Sequence, residues 1–199
     1  MTKATLLIYA KPPRMGLSKT RLAAGLGLTE ARRVAHFTLA RTMRAALNGH
    51  WTSVLYAAPD MAMTDSVGGL WPASLARRSQ GHGGLTERLN KGLAEAPPGP
   101  VLFIGADAPD IAPALLRNAI RTLQNNDAVF GPARDGGFWL FGLNKGPRTR
   151  SPFCNVRWSG PHAMEDVLGN LPLHARVGLL PVLDDIDEAD DWHAWNAAR

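Results

Sequence analysis

Two kinds of charged cluster in this chain have the makings of a site for phosphates and a metal ion. The first is cationic: Lys11, Arg14, Lys19 and Arg21 fall within eleven consecutive positions, interrupted by Pro12, Pro13 and Gly16. Proline limits the freedom of the backbone there and Gly16 permits its close approach to a ligand, which suits a diphosphate or triphosphate. A solvated basic loop would carry the same residues. The second kind is acidic. Asp107 follows the apolar run VLFIGA and precedes Ala108-Pro109, and Asp184-Asp185-Ile186-Asp187 follows Val182-Leu183. Magnesium and manganese take hard oxygen ligands, commonly one or two carboxylates shared with substrate phosphates. Asp107 could instead cap the helix that follows, although Asp110, just before Ile111, Ala112 and Pro113, is better placed for capping. In an extended backbone Asp185 and Asp187 turn to one side, which makes them the further candidate ligands. Asp187 as a helix cap and Asp184 facing water are the structural alternatives. Between the two acidic segments, Asp135-Gly136-Gly137 offers a tight turn whose bare backbone can lie against a substrate while Asp135 accepts hydrogen bonds from hydroxyls. A simple Asp-Gly hairpin turn fits these residues equally well.

The elements that must position these groups alternate between strand and helix. The run TLLIYA, with no polar alternation, predicts a central strand buried on both faces and opening directly into the cationic loop. Residues 29–47 have apolar residues at i+4 steps and predict a helix capped by Thr29 and closed by Asn48-Gly49. Strands are predicted over 53–58, 101–105, 128–131, 138–143 and 177–183, and helices from Leu85 to Pro97, over 113–124, 161–171 and 188–198. Residues 61–72, with Gly68-Gly69 and Pro72, are the segment expected to be a mobile loop. This order predicts βαβ units and a mainly parallel sheet, with ligands at the carboxyl ends of its strands. No repeat or linker divides the 199 residues, so one domain over 1–199 is expected.

Composition narrows the function classes. The net charge of +5 permits a nucleic-acid partner, but the basic residues are dispersed and no zinc-ligand spacing accompanies them, so none is expected. The single cysteine, Cys154, allows no intrachain disulfide, and no apolar run approaches membrane-spanning length. A cytoplasmic location without membrane insertion is the expectation. GxxxxGK[ST] and GxGxxG are absent, and the histidines form no HxxxH pair.

Six segments, AKPPRMGLSKTRLA, QGHGGLTERL, FIGADAPDI, GPARDGGFWLFGL, RWSGPHAMEDVL and LLPVLDDIDEADDW, in this order, resemble the DUF2064 family. This is a glycosyltransferase-like group within the nucleotide-diphospho-sugar transferase superfamily. The resemblance implies a GT-A-like three-layer α/β/α sandwich with a mainly parallel mixed sheet. It also implies that Lys11, Gly16, Lys19 and Arg21 handle nucleotide phosphates, with Gln80, Gly81 and Arg88 near the nucleotide. Asp107 would bind Mg2+ or Mn2+, together with Asp185 and Asp187. Asp135, Gly136, Gly137, Trp158 and Ser159 would face the sugar or acceptor, and Lys19, Asp107 and Asp135 would be catalytic. The chain departs from the family pattern at Ala108 and Glu188, where Ser and Thr are usual, and at Gly160, where Thr often follows Trp-Ser. The implied activity is transfer of a sugar from a nucleotide-diphospho-sugar to a small-molecule acceptor. The alternatives are a nucleotidyltransferase similar to 2-phospholactate guanylyltransferases, using a nucleoside triphosphate and releasing pyrophosphate, and a non-catalytic nucleotide-binding protein. Nothing in these residues fixes an oligomeric state.

Overall fold

A computed structural model describes residues 2–15 and 19–198. Its centre is a seven-stranded sheet of order β3-β2-β1-β4-β6-β5-β7, formed by β1 (Thr5–Ala10), β2 (Thr52–Ala57), β3 (Ala76–Ser79), β4 (Gly99–Ile104), β5 (Ala128–Pro132), β6 (Phe138–Lys145) and β7 (Val177–Leu179). Neighbours are parallel except where β6 pairs antiparallel with β4 and β5. The helices are α1 (Thr20–Leu26), α2 (Leu28–Leu47), α3 (Leu85–Glu95), α4 (Pro113–Thr122), α5 (Ala163–Gly169) and α6 (Ala189–Ala197).

The unbroken apolar character of β1 follows from its two covered faces. Leu6, Ile8 and Ala10 pack with Leu39 and Met43 of α2 and Leu116 and Ala119 of α4. Leu7 turns the other way, toward Leu89 and Leu93 of α3 and Val167 of α5. Two helical layers therefore sandwich the sheet, as the sequence predicts. A third cluster joins α1, α2 and α6 through Leu22, Val34, Trp192 and Trp195, with Ile186 buried among them.

Several local expectations are corrected. Helix α1 and strand β3 are not evident from the sequence pattern: α1 begins within what reads as a cationic loop, and β3 is the polar run ARRS at the sheet edge. Helix α2 begins after Gly27, not Thr29. The segment expected to be mobile is irregular but fastened. The Arg77 guanidinium donates to the carbonyls of Met63, Asp65, Trp71 and Pro72 at 2.6–3.2 Å, and Trp71 is fully buried. Asp110 does not cap α4, whose N-cap is Ala112; it accepts from Trp195 Nε1 at 2.8 Å and so ties α6 to the loop after β4.

At the end of α3, Glu95 receives Tyr56 Oη at 2.9 Å, Arg78 at 3.1 Å and Lys91 at 2.6 Å. Burial alone would raise this carboxyl's pKa, but the three hydrogen bonds outweigh it and hold the value at about 2 against an ordinary 4.5. The folded state thus binds the proton less tightly than the unfolded chain. The stabilisation is complete above pH 4.5 and disappears as pH falls through about 2. Glu95→Gln is expected to lower stability by about 1 kcal/mol near neutral pH, allowing for screening of a partly exposed group. Denaturant melts at descending pH should show the deficit shrinking between about 4.5 and 2; a deficit independent of pH would exclude the ionic origin.

Candidate active site

The carboxyl ends of the parallel strands open into a cleft of about 650 Å³, and most of the sequence-derived candidates line it. Lys11 leaves the end of β1. Lys19 enters α1 as its N-cap in a left-handed conformation, φ 55° and ψ 45°. Its side chain is only 7% exposed, and Nζ lies 2.6 Å from Asp107 Oδ1 and 2.6 Å from Asp187 Oδ1, with a further bond to the Ile186 carbonyl. Burial by itself would lower the ammonium pKa, but the two carboxylates more than offset this and the pKa is raised. Lys19 is therefore a buried positive charge at the junction of two distant acidic segments.

Backbone pairing brings those segments together. The Ile186 amide donates to the Asp107 carbonyl at 3.1 Å, so the chain after β7 is stitched to the chain after β4. Ile186 is fully buried against Leu22 and Trp192, and its neighbours Asp185 and Asp187 both line the cleft, as the two-residue period predicts. Helix α6 starts at Ala189 with Glu188 as N-cap, and Asp191 Oδ2 accepts from the amides of Asp187 and Glu188 at 3.0 and 2.8 Å. The carboxylate of Asp187 is thereby left to Lys19, and the start of α6 is secured. Asp184 pairs with Arg134 outside the cleft. Asp185 lies beyond ion-pairing distance of Lys19. Burial, then repulsion from Asp135 and Asp187, pushes its pKa up to about 6.

Asp135 sits in the hairpin between β5 and β6, as the Asp-Gly turn predicts, and lines the cleft. Its Oδ1 accepts from the Gly137 amide at 2.8 Å. Gly136 has φ 85°, and a Cβ there would lie 2.2 Å from the Pro161 carbonyl oxygen, so the turn packs directly on the chain entering α5. That chain carries Trp158 and Ser159 to the rim of the cleft.

Not all candidates converge. Gly16 lies outside the described residues. Arg14, grouped with the cationic loop, bonds Asp65 at 2.6 Å and is not among the residues lining the cleft. Gln80 does line the cleft, although it is buried and engaged within the protein: Nε2 donates to the Tyr56 and Ala10 carbonyls, and Oε1 accepts from Arg88 at 3.2 Å. Arg88 Nε also donates to the Gly83 carbonyl. Gly81 takes φ 80° beside it, with its amide on Ser79 Oγ.

The cleft also has an apolar wall that the sequence did not single out, made of Tyr9, Phe103, Phe138, Leu85 and Leu89 beside Trp158. Aromatic residues at strand ends were the available sign. Thr86 Oγ1 holds Trp158 Nε1 at 2.8 Å, fixing that ring.

The DUF2064 family model, described as an uncharacterized protein conserved in bacteria, matches residues 39–160, more than half of the chain. The chain belongs to the DUF2064 family. The matched span contains Gln80, Arg88, Asp107, Asp135 and Trp158, while Lys19 and the second acidic segment lie outside it. Solved structures cover those ends of this DUF2064 protein as well. A candidate nucleotide-diphospho-sugar transferase from Desulfovibrio desulfuricans G20 is 24% identical with a TM-score of 0.87, over 98% of this chain and 87% of that one. A 4-diphosphocytidyl-2C-methyl-D-erythritol synthase from Anaerococcus prevotii is 14% identical with a TM-score of 0.62, over 99% and 98%. Glucosyl-3-phosphoglycerate synthase from Mycobacterium tuberculosis, solved with Mn2+, uridine diphosphate and glucosyl-3-phosphoglycerate, is 13% identical with a TM-score of 0.59, over 96% and 75%. No curated protein matches the chain. The DUF2064 fold here is thus that of the nucleotide-diphospho-sugar transferases. Among the described residues, no helix is long and apolar enough to cross a membrane.

The donor set fits a divalent cation. Two hard carboxylate oxygens, from Asp107 and Asp187, point at one position that already holds a positive charge. Among the described residues no third acidic, histidine or cysteine side chain completes a cage. One or two carboxylates are the usual protein share of a cation that also takes oxygens from substrate phosphates.

Proposed function

We propose that this protein is an enzyme, a metal-dependent transferase that moves a sugar from a nucleotide-diphospho-sugar to the hydroxyl of a small-molecule acceptor. The observation that carries the reading is the convergence of Asp107 and Asp187 on Lys19 at the mouth of a cleft with cations on one flank. The likeness in fold to a synthase solved with Mn2+ and uridine diphosphate adds to it. Asp107 and Asp187, with Asp185 alongside, would hold Mg2+ or Mn2+. That ion, when bound, would offset negative charge on the diphosphate. Lys11, Lys19 and Arg21 bind the phosphates and stabilise the charge that grows on the departing nucleoside diphosphate. Gln80 fixes Arg88 toward the nucleotide, with Gly81 beside it. Asp135 takes the acceptor's proton, and Gly136, Gly137, Trp158 and Ser159 shape the acceptor's seat. Orientation in the closed turn and preformed charge supply most of the acceleration.

Incubation with nucleotide-sugars and with nucleoside triphosphates, with and without Mn2+, tests the reading. Release of nucleoside diphosphate from a nucleotide-sugar, dependent on Mn2+ and on an added hydroxyl compound, is the expected result. Release of pyrophosphate from a triphosphate would replace sugar transfer by nucleotidyl transfer. Failure of every nucleotide to bind in the presence of Mn2+ would end both.

A further inference from the structure

We propose that the acceptor seat of this cleft selects an uncharged ring bearing hydroxyls and discriminates against phosphorylated or carboxylated compounds. The inference deepens the transferase reading and rests on it for which flank seats the acceptor, while its charge argument comes from the strand order and the ion pairs around the cleft.

Along the carboxyl edge of the sheet the charged groups are segregated. On the β3-β2-β1 side stand Arg88, held by Gln80 just past β3, and Lys11, just past β1, with Arg21 on α1. On the β6-β5-β7 side stand Asp135 in the hairpin and Asp185 after β7, and Lys19 with Asp107 marks the boundary. Phosphates of a donor belong on the first flank. The acceptor must then occupy the second, where cations are already engaged: Arg134 pairs with Asp184, and Arg157 with Asp166 at 2.6 Å and Glu165 at 3.7 Å. A divalent ion held by Asp107 and Asp187 would still leave Asp135 as an anion facing that space. An incoming phosphate or carboxylate would meet like charge on that flank, and neither Arg134 nor Arg157 is among the residues that line the cleft.

The wall of the same seat suits a ring. Phe138 and Trp158 stand with centroids 6.2 Å apart at 66°, and Trp158 is fixed by its bond to Thr86. An aromatic face receives the C–H face of a saturated ring, while an ionised carboxylate only accepts and therefore matches hydroxyl donors. The apolar surface and the acceptor-only groups specify complementary sides of one ligand.

The test is saturation-transfer NMR and competition titration of the full chain with methyl glucoside, galactoside and mannoside, each paired with its 6-phosphate and its uronate. At least one neutral glycoside is expected to bind about tenfold more tightly than both of its anionic partners. Asp135→Asn keeps an oxygen for the Gly137 amide and removes the charge, so it should narrow that ratio several-fold. Phe138→Ala should weaken the neutral ring and its anions alike. Anionic partners that bind as tightly or more tightly, an unchanged ratio in Asp135→Asn, or no transfer to any neutral ring at millimolar concentration would each overturn the proposal. Parallel titration with uridine and guanosine diphosphates plus Mn2+ separates the two ideas. Loss of nucleotide binding would remove the transferase reading while the glycoside ratio still decides the selectivity of the seat.

Discussion

Asp107→Ala is expected to abolish metal-dependent nucleotide binding, with a loss of about 100-fold or more in affinity measured by calorimetry with Mn2+ and a nucleoside diphosphate. Asp107 and Asp187 each reach the Lys19 ammonium at 2.6 Å, the position we propose for the cation, and among the described residues no group of three acidic, histidine or cysteine side chains could hold the ion without Asp107. The fold should survive, because the contact that stitches the two acidic segments is made by the Asp107 carbonyl, which alanine retains. Lys19 keeps Asp187, so the melting temperature should fall only slightly, by the equivalent of about 1 kcal/mol. An unchanged nucleotide affinity in a variant of wild-type stability would retire Asp107 as the metal ligand. A collapse of the fold would show that the side chain, 52% exposed, has a structural role that its contacts do not suggest.

The fold was legible wherever a strand is covered on both faces. TLLIYA and VLFI announce β1 and β4 because neither face meets water, and the helix spacing from Leu85 onward announces α3 because only one face is buried. Strand β3 was illegible for the opposite reason. At a sheet edge, ARRS satisfies Arg77 with carbonyls of a neighbouring loop, and sequence pattern carries no record of that partner. The two-residue period of Asp185, Ile186 and Asp187 was readable because it is local. The destination of Lys19 was not, because its partners lie 88 and 168 positions away, at Asp107 and Asp187. Reading Lys11, Arg14, Lys19 and Arg21 as one cationic group treated charge density as if it were arrangement. In the folded chain Arg14 pairs with Asp65, while Lys19 is buried against the carboxylates. Similarly, Gln80 lines the cleft, but only the fold shows that its amide also bonds the ends of β1 and β2 while its carbonyl accepts from Arg88.

Lys19→Met should separate the two roles that meet in one ammonium. With the lysine present, the charge between Asp107 and Asp187 is already balanced, so a divalent ion arriving alone must compete with a buried cation whose proton is held more tightly than usual. In the methionine variant the two carboxylates repel each other across an apolar side chain. Stability without divalent ions should fall by about 2 kcal/mol, less than for a fully buried pair because both carboxylates are about half exposed. Mn2+ alone should then bind about tenfold more tightly than to the wild type and recover much of the lost melting temperature by mass action. Nucleotide affinity should move in the opposite direction and weaken, because the phosphates lose their nearest ammonium. These opposed shifts distinguish a lysine that stands in for the metal until phosphates draw it away from one that merely braces the site. A bracing lysine would weaken Mn2+ and nucleotide together, and paramagnetic titration of free Mn2+ against both proteins reads the sign directly.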